Sequence, residues 1–296
     1  MYLITGATGN TGKPLTHALL DAGKKVRIIS RDRTKAKELT DRGAELFLGS
    51  WDSASLLASA MKGITAMYAM IPPDLFAPDY FVHQKRFAES MATALMISNV
   101  KFVVSLSSVG AHLDSGTGAI LGLRYMEQRL NEISGLNTLH IRASYFMENI
   151  FGMINLIKQR NILGSPVAAD IKIPMIASHD IAEFAAKRLL LLDFFGHNVQ
   201  YLLGERELTY KEIAKILGNA IGKPDIKYIQ MSKNEYIRVM VNGLGLSVNV
   251  AENFYENQVM INKGRIFEDA APEKVSTTKT SFEEFSKVFA TVYNMK

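Results

Sequence analysis

A glycine-rich segment near the N-terminus constrains the fold more than any other feature of this chain. Residues 1–4 form an apolar run, and Gly6, Gly9 and Gly12 follow it directly. In such a strand, turn and helix, the first glycine permits a tight turn, the second lets the backbone approach a pyrophosphate, and the third lets the helix pack closely. The N-terminus of that helix presents free N–H groups and a partial positive charge to phosphates. The segment therefore predicts a dinucleotide site.

The residues after the glycines fit this interpretation. Pro14 falls in the first turn of the predicted helix, where its missing N–H costs nothing, and Gly23 stands where the helix would end. An ordinary tight turn is the alternative, but the first strand, the helix and a second strand at Val26–Ser30 together favour the nucleotide site. We expect cofactor contacts from the loop residues Gly6, Thr8, Gly9, Asn10, Thr11 and Gly12.

The end of the second strand bears on which dinucleotide is bound. NAD sites usually carry an acidic residue here, about 20 residues beyond the glycines, to bind the ribose 2′-hydroxyl. This chain has Ser30 and Arg31 at those positions. A guanidinium suits a 2′-phosphate, so the sequence favours NADP(H), with Arg31 and Lys35 as predicted contacts. Asp32 keeps NAD(H) possible, and a solvated basic turn is the alternative.

The distribution of charge supports a phosphate site at this turn. Residues 24–37 contain seven Lys and Arg residues and one acidic residue, an excess larger than the net charge of +5 for the whole chain. The basic patch therefore lies beside the predicted cofactor and not along a helix that would read nucleic acid. We expect no direct nucleic-acid partner.

Composition excludes several other classes of protein. The chain has no cysteine, which rules out disulfides, thiolate metal sites and cysteine nucleophiles. Apolar runs such as residues 189–192 are too short to span a bilayer, and the first residues already belong to a predicted strand, which leaves no room for a signal peptide. No His, Asp and Glu residues have metal-ligand spacing. We expect a cytoplasmic protein without a metal or a membrane partner.

Strand and helix signals alternate through the first half of the chain, as they do in parallel βαβ units. Further predicted strands cover residues 44–48, 64–71, 102–106, 138–141 and 199–203, the last of these closing the series. Predicted helices follow cap candidates at Asp52 and Ser53, cover residues 80–98 and 118–133, and run from a cap at His179 and Asp180 to Leu192. Capping boxes open two more helices at Thr209 and Ser281. Residues 151–170 show no regular pattern.

These elements predict an α/β fold with a doubly wound parallel Rossmann sheet and a smaller, mainly helical C-terminal region. Residues 1–150, completed by 171–204, form the predicted dinucleotide-binding domain. Residues 151–170 and 205–296 form the predicted substrate or partner region. Ligands of doubly wound sheets bind at the carboxyl ends of the strands, so we expect the substrate between that edge and the C-terminal region.

Nearly the whole chain resembles the NmrA-like group of the atypical short-chain dehydrogenase/reductase superfamily. The opening segment from Ile4 to Gly12 carries the strongest similarity. The resemblance extends to residues 49–56, Ser107-Ser108, residues 142–149 (with Ala143 where a proline is usual), residues 179–182 and residues 208–213. It implies an NAD(P)-binding fold and leaves the substrate open.

Enzymes of that superfamily carry a Tyr and a Lys one helical turn apart on the helix after the fifth strand. The tyrosine hydroxyl exchanges a proton with the substrate oxygen, and the lysine lowers the pKa of the tyrosine. When this helix is aligned on its Glu127 and Leu130, Ala119 and Leu123 occupy those positions. Neither side chain can transfer a proton.

Two other alignments of this helix are possible. A shift of one residue gives Ile120 and Arg124, which also cannot transfer a proton. Tyr125 and Arg129 have the right mutual spacing, but they leave a short helix behind them, and arginine is a poor proton relay. The alternative for this pair is a tyrosine at the edge of the helix beside a solvated arginine.

NmrA-like proteins commonly lack the Tyr/Lys pair, and the resemblance therefore implies two functions. One is an NADPH-dependent reductase of quinones or similar small electrophiles, which needs only to hold the nicotinamide and the acceptor in the right geometry. The other is a regulator that senses NADP(H) and binds a protein partner. A sugar-nucleotide epimerase is a weaker third alternative, because it needs a tyrosine to remove a proton.

Candidate substrate residues lie after the fifth and sixth strands. The superfamily places a substrate-binding serine at the end of the fifth strand, where this chain has Ser107-Ser108. Ser107 is our candidate, which we also expect near the nicotinamide, and an ordinary turn serine is the alternative. Tyr145 and Asn149 offer an aromatic face and an amide to an acceptor, although loop packing explains them too. Pro72 and Pro73 are predicted to shape the wall beside the adenosine, and His179 is interpreted as structural. The Met and aromatic residues from 236 to 260 predict either an apolar cleft or a helical core.

Overall fold

The computed structural model describes residues 1–295, so Lys296, the last residue of the predicted C-terminal region, lies outside the described residues. Within that range the strands are β1 Tyr2–Ile4, β2 Val26–Ser30, β3 Glu45–Leu48, β4 Ala66–Ala69, β5 Phe102–Ser108, β6 Asn137–Ala143, β7 Tyr145–Phe146, β8 Ile162–Ser165, β9 Ile173–Ile176, β10 His197–Leu203, β11 Glu207–Leu208, β12 Lys227–Gln230 and β13 Val275–Thr277.

The α-helices are α1 Gly12–Asp21, α2 Arg33–Asp41, α3 Ala54–Ala60, α4 Tyr80–Met96, α5 Leu121–Asn131, α6 Ile154–Arg160, α7 Ser178–Leu191, α8 Tyr210–Ala220, α9 Lys233–Leu244, α10 Val248–Asn262 and α11 Phe282–Asn294. Short 3₁₀ turns cover Gly118–Ile120, Met147–Met153, Arg265–Phe267 and Pro272–Lys274. None of the helices in residues 1–295 combines the length and the apolarity needed to cross a bilayer.

The central sheet has eight parallel strands in the order β13-β10-β6-β5-β4-β1-β2-β3. From β1 the chain builds outward to β2 and β3, and it then crosses to β4 and builds outward in the other direction. The loops after β1 and β4 therefore diverge and leave a crevice at the carboxyl edge of the sheet. This topology confirms the predicted doubly wound α/β fold.

Helices cover both faces of the sheet because its strands are apolar on both faces. Tyr2 and Ile4 belong to one core with residues of α1 and α7, and Leu3 between them belongs to the other. That second core contains residues of α3, α4 and α5, including Phe87 and Met126. The alternation follows from the two-residue period of a strand.

A third core holds the C-terminal helices together. It joins residues of α6, α8, α9, α10 and α11 to the small sheets β11-β9-β7 and β12-β8. The capping boxes predicted at Thr209 and Ser281 are confirmed, and a third at Ser232 opens α9. Ser53 caps α3 as predicted, whereas Asp52 pairs with Arg86 at 3.2 Å.

Two predictions about strands were wrong. Residues 151–170 contain α6 and β8, which are too short to show a clear period in the sequence. The strand at residues 197–203 is not the last, because β11, β12 and β13 follow it, and β13 pairs with β10 at the edge of the central sheet. Strands of two to four residues carry little periodic signal, and their pairing with distant partners defines them.

The predicted cap of α7 was also wrong. The helix begins at Ser178, and neither His179 nor Asp180 caps it. Glu148 accepts hydrogen bonds from the backbone N–H of Ser178 at 3.0 Å and from its hydroxyl at 2.5 Å, while Asp180 accepts from Thr280. A carboxylate from a distant segment therefore satisfies this helix terminus.

A buried histidine makes the stability of this fold depend on pH. His140 in β6 is fully buried, with its Nδ1 2.6 Å from the Ser105 hydroxyl and its Nε2 2.9 Å from Asn131 Oδ1. Burial lowers the pKa of His140 from 6.5 to about 4. Its neutral form is favoured in the folded state, so the contribution is complete above pH 6.5 and is lost as the pH falls towards 4.

We expect wild-type protein to lose on the order of 3 kcal/mol of unfolding free energy through His140 between pH 6.5 and pH 4. Denaturant unfolding across this range measures the slope. The variant His140→Asn should show a smaller slope, whatever its stability at neutral pH. The exposed His179 is the control, and His179→Gln should keep the wild-type slope. Equal slopes for wild type and His140→Asn would contradict the assignment.

Candidate cofactor and substrate site

The loop between β1 and α1 requires its glycines. Gly6 has a φ of +64°, in the left-handed region that favours glycine. A Cβ atom at Gly12 would overlap the carbonyl oxygen of Gly6, and the N–H of Gly9 donates to that same oxygen at 2.9 Å. Thr8, Gly9 and Asn10 are exposed at the tip of the loop. The loop backbone is therefore exposed and the N-terminus of α1 packs against it, which are the two features that a pyrophosphate site requires.

Two threonines anchor this loop to β4. The Thr5 hydroxyl donates to the carbonyl of Tyr68 at 3.0 Å and accepts from the N–H of Met70 at 3.0 Å. The Tyr68 hydroxyl donates to Thr11 Oγ1 at 3.1 Å, and burial raises the pKa of Tyr68, which keeps it a donor. Thr11 is predicted to contact the cofactor. Its side chain is buried, and its hydrogen bond with Tyr68 fixes the position where α1 begins.

In the turn after β2, the side chains of Arg31 and Lys35 are exposed, whereas the carboxylate of Asp32 is engaged in hydrogen bonds. Asp32 Oδ1 accepts from the N–H of Thr34 at 2.8 Å and from that of Lys35 at 3.2 Å, and so caps α2. Arg31 and Lys35 are exposed, and within residues 1–295 neither side chain makes a hydrogen bond or an ion pair. A contact between Asp32 and a ribose would compete with the cap, which is typically worth about 1 kcal/mol.

A cleft of about 440 Å³ opens at the carboxyl ends of β4, β5 and β6. Its walls come from the segments after these strands, from the start of α5, and from α9 and α10 of the C-terminal region. Apolar and aromatic side chains such as Ile71, Phe146, Met240 and Phe254 dominate it. Among the described residues, none that line the cleft carries a formal charge.

All three predicted substrate residues, Ser107, Tyr145 and Asn149, line this cleft. Tyr145 and Asn149 both line it, together with Tyr210 and Gln258. Burial raises the pKa of Tyr145, although hydrogen bonds with these three neighbours oppose the shift. Burial likewise raises the pKa of Tyr80, to about 12. The cleft tyrosines therefore donate hydrogen bonds at neutral pH and do not ionise.

The helix positions expected for a Tyr/Lys pair face the cleft with apolar side chains. Ala119, Ile120 and Leu123 all line it. Arg124 points its guanidinium away, donating to the carbonyls of Ala111 at 3.2 Å and His112 at 2.6 Å. None of these three apolar side chains can transfer a proton.

Tyr125 and Arg129 lie outside the cleft. The Tyr125 hydroxyl donates to Glu89 of α4, and Arg129 Nε donates to the same carboxylate at 3.1 Å. The hydrogen bond with Glu89 raises the pKa of Tyr125, which is opposite to what a proton relay needs. These contacts join α5 to α4.

Ser107 belongs to a buried polar network that the sequence did not reveal. Its hydroxyl donates to Glu127 Oε1 at 2.5 Å. Glu127 also forms a bidentate pair with Arg142, at 3.0 Å through Nε and 2.6 Å through Nη2. Arg142 reaches on to Tyr201 and Asp269. Ser107 lines the cleft, but its proton is committed to Glu127, so it can only accept from a ligand.

The remaining candidates have mixed outcomes. Of the two prolines, Pro73 lines the cleft, whereas the carbonyl of Pro72 bonds to the ring of His83 at 2.8 Å. His179 is exposed, pairs with Glu183 at 3.0 Å and lies away from the cleft. The Met and aromatic residues from 236 to 260 fall into two groups. Tyr236, Met240 and Phe254 line the cleft, whereas Met260 is buried in the core. Residues 1–295 contain no cluster of three metal-ligating side chains.

Comparison with known proteins identifies the family of this chain. The model of the NmrA-like family matches residues 2–288. The chain belongs to the NmrA-like family. The resemblance seen in the glycine segment and after the fifth and sixth strands is thereby confirmed.

Individual relatives cover almost the whole chain. The NAD(P)H azoreductase of Xenophilus azovorans is 25% identical over 297 residues, which is 99% of each chain. An NADPH-dependent quinone oxidoreductase from Escherichia coli, solved with NADPH, has a TM-score of 0.80 at 22% identity over 98% of this chain and 99% of its own. The Citrobacter triphenylmethane reductase solved with NADP(H) has a TM-score of 0.75 at 20% identity, with coverages of 98% and 99%. The two solved structures share the fold.

The position of Tyr125 gives a direct test of a tyrosine mechanism. Because its hydroxyl bonds to Glu89 outside the cleft, Tyr125→Phe should keep the nucleotide-dependent turnover of the wild type within about twofold. Tyr145→Phe, which removes a hydroxyl inside the cleft, is the matched comparison and should alter kcat or KM. Steady-state kinetics of both variants measure this. A loss of ~100-fold in Tyr125→Phe, the scale of a missing general acid, would refute this interpretation.

Proposed function

We propose that this protein is an NADPH-dependent reductase that passes a hydride to a neutral, largely apolar acceptor such as a quinone. The observation that carries the proposal is the cleft at the carboxyl ends of β4, β5 and β6. Its described lining carries no formal charge and includes Met70, whose side chain packs beside Gly6 of the glycine loop. A doubly wound sheet binds its cofactor along this edge. An acceptor in the cleft therefore meets the nicotinamide without any charged side chain between them.

The residues of the chain have the roles that such a reaction requires. The glycine loop and the N-terminus of α1 hold the pyrophosphate, and Arg31 and Lys35 hold the 2′-phosphate. The apolar walls exclude water and position a flat acceptor, which supplies near-attack geometry. When bound, NADPH supplies the hydride, and the reduced acceptor takes its proton from water. No Tyr/Lys pair is needed, and among residues 1–295 no lysine lines the cleft.

The relatives support this chemistry, since two of them are named as an azoreductase and a quinone oxidoreductase. The cleft argues against a sugar-nucleotide epimerase. A nucleoside diphosphate carries two negative charges or more, and the lining among the described residues offers no cation to pair with them. The apolar positions of Ala119 and Leu123 argue against it as well.

Cofactor preference follows from the turn after β2. Because Arg31 can bind a 2′-phosphate and Asp32 is engaged in capping α2, NADPH should bind about ten- to hundredfold more tightly than NADH. Calorimetric titration of both nucleotides measures the ratio. In Arg31→Asp the ratio should fall towards one or invert.

A matched control for Arg31→Asp lies at the other end of the same strand. Lys24→Asp makes the same change in charge at an exposed residue before β2, at the amino edge of the sheet. It should leave the ratio unchanged. Equal affinities for the two nucleotides in the wild type, or an equal effect of both substitutions, would count against the 2′-phosphate site.

A single-turnover experiment separates a reductase from a sensor. Protein loaded with NADPH and mixed with excess 1,4-naphthoquinone should lose absorbance at the reduced-nicotinamide band faster than a protein-free control. Binding of NADPH should protect the chain from proteolysis in either case, because a ligand at a hundredfold excess over its Kd stabilises the fold by about 2.7 kcal/mol. Protection without oxidation by quinones, azo dyes or aldehydes would instead assign the protein as a sensor with a protein partner.

A further inference from the structure

Three serines stand at the carboxyl edge of the central strands and line the cleft. Ser107 and Ser108 end β5, and Ser144 directly follows β6. The register of the sheet pairs Ser107 with Arg142 and Ser108 with Ala143. Ser144 is thus the next residue in line on the neighbouring strand. The sequence singled out Ser107, and only the hydrogen bonds in the folded chain distinguish the three.

The protons of the two β5 serines are committed within the protein. Ser107 donates to Glu127 Oε1 at 2.5 Å, and Ser108 donates to the carbonyl of Val109 at 3.0 Å. Ser144 differs from both. Its side-chain oxygen is buried and has no hydrogen-bond partner within residues 1–295, and the residue is only 4% exposed. Its backbone N–H donates to the carbonyl of Leu202 at 3.0 Å, which fixes its position.

A buried hydroxyl without a partner costs free energy, so its presence in a ligand cleft calls for an occupant that satisfies it. Two other buried orphan atoms line the cleft, Gln84 Oε1 and Asn257 Oδ1. The orientation of Gln84 is fixed, because its amide nitrogen donates to the carbonyl of Ala119 at 2.8 Å. Both orphan oxygens are acceptors only. Ser144 Oγ is therefore the one buried orphan donor in the described lining of the cleft.

We propose that the Ser144 hydroxyl donates a hydrogen bond to the carbonyl oxygen of the bound acceptor, and that the acceptor is a neutral, flat ring compound such as a quinone. This inference rests on the proposed function. In the reduction, one hydride passes from NADPH to the quinone, giving NADP⁺ and a hydroquinone monoanion that takes one proton from water. Negative charge develops on an oxygen, where a donor already in place in an uncharged cleft stabilises it most.

The first test measures binding without any turnover. Protein saturated with NADP⁺, which cannot donate a hydride, is titrated with 1,4-naphthoquinone as wild type, Ser144→Ala and Ser108→Ala. Ser144→Ala should weaken naphthoquinone binding about five- to tenfold, the scale of one lost hydrogen bond. Ser108→Ala should change it less than twofold. The Kd for NADP⁺ should be the same in all three proteins.

Two further readouts separate a ligand contact from a structural role. With NADPH present, Ser144→Ala should lower kcat for naphthoquinone more than it raises KM, because the bond strengthens as charge develops on the oxygen. The Tm of the free protein should stay unchanged or rise in Ser144→Ala, because the hydroxyl is unpaired there. A fall in Tm of the free protein together with unchanged naphthoquinone binding would show that Ser144 is structural.

The outcomes separate this proposal from the proposed function. Wild type that binds naphthoquinone but never oxidises NADPH refutes the reductase, while the binding comparison still decides the role of Ser144. Turnover with equal binding in Ser144→Ala and wild type overturns the role of Ser144 alone. A loss of NADP⁺ affinity in Ser144→Ala would assign the hydroxyl to the cofactor and overturn the proposal, as would failure of wild type to bind naphthoquinone.

Discussion

The ion pair between Glu127 and Arg142 holds the functional edge of this protein together. Both side chains are more than nine-tenths buried, and a buried charge left alone would cost several kcal/mol. The pair joins α5 to β6, takes the proton of Ser107, and extends through Arg142 to Tyr201 and to Asp269. Burial opposes the charge on Arg142, but its bonds with Glu127 and Tyr201 raise its pKa, so it stays a cation. Three separate parts of the chain are therefore fixed around one guanidinium.

The cleft beside this network has a different character. Glu127, Arg142 and Asp269 pair with one another and are not part of the cleft lining. The described lining carries no formal charge and presents hydroxyl and amide groups among aromatic rings. Such a surface has little affinity for phosphates or carboxylates, since a charge would lose its hydration without gaining a partner. A flat, neutral ring would lose little hydration on entering such a cleft. Exposed basic residues, among them Arg31 and Lys35, lie instead at the turn after β2.

Much of the fold could be predicted because its signals are local. Gly6 and Gly12, the capping boxes at Thr209 and Ser281, and the apolar strands of the central sheet are each defined within a few residues. The failures lie where a partner is distant in the sequence. The terminus of α7 is satisfied by Glu148, and β13 exists because it pairs with β10. No local pattern encodes either contact.

For the site, the sequence by itself determined the dinucleotide loop, the basic turn at Arg31 and the apolar residues where a Tyr/Lys pair would stand, because each depends only on residue type and position along one strand, turn or helix. The tertiary structure alone decided which hydroxyl groups are free. Ser107, Ser108 and Ser144 are the same residue type. Ser107 donates its hydroxyl proton to Glu127 and Ser108 donates to Val109, whereas the Ser144 hydroxyl has no partner within residues 1–295. Hydrogen bonds between distant residues make that selection, because each donor has one proton and the fold determines which acceptor is near enough to receive it.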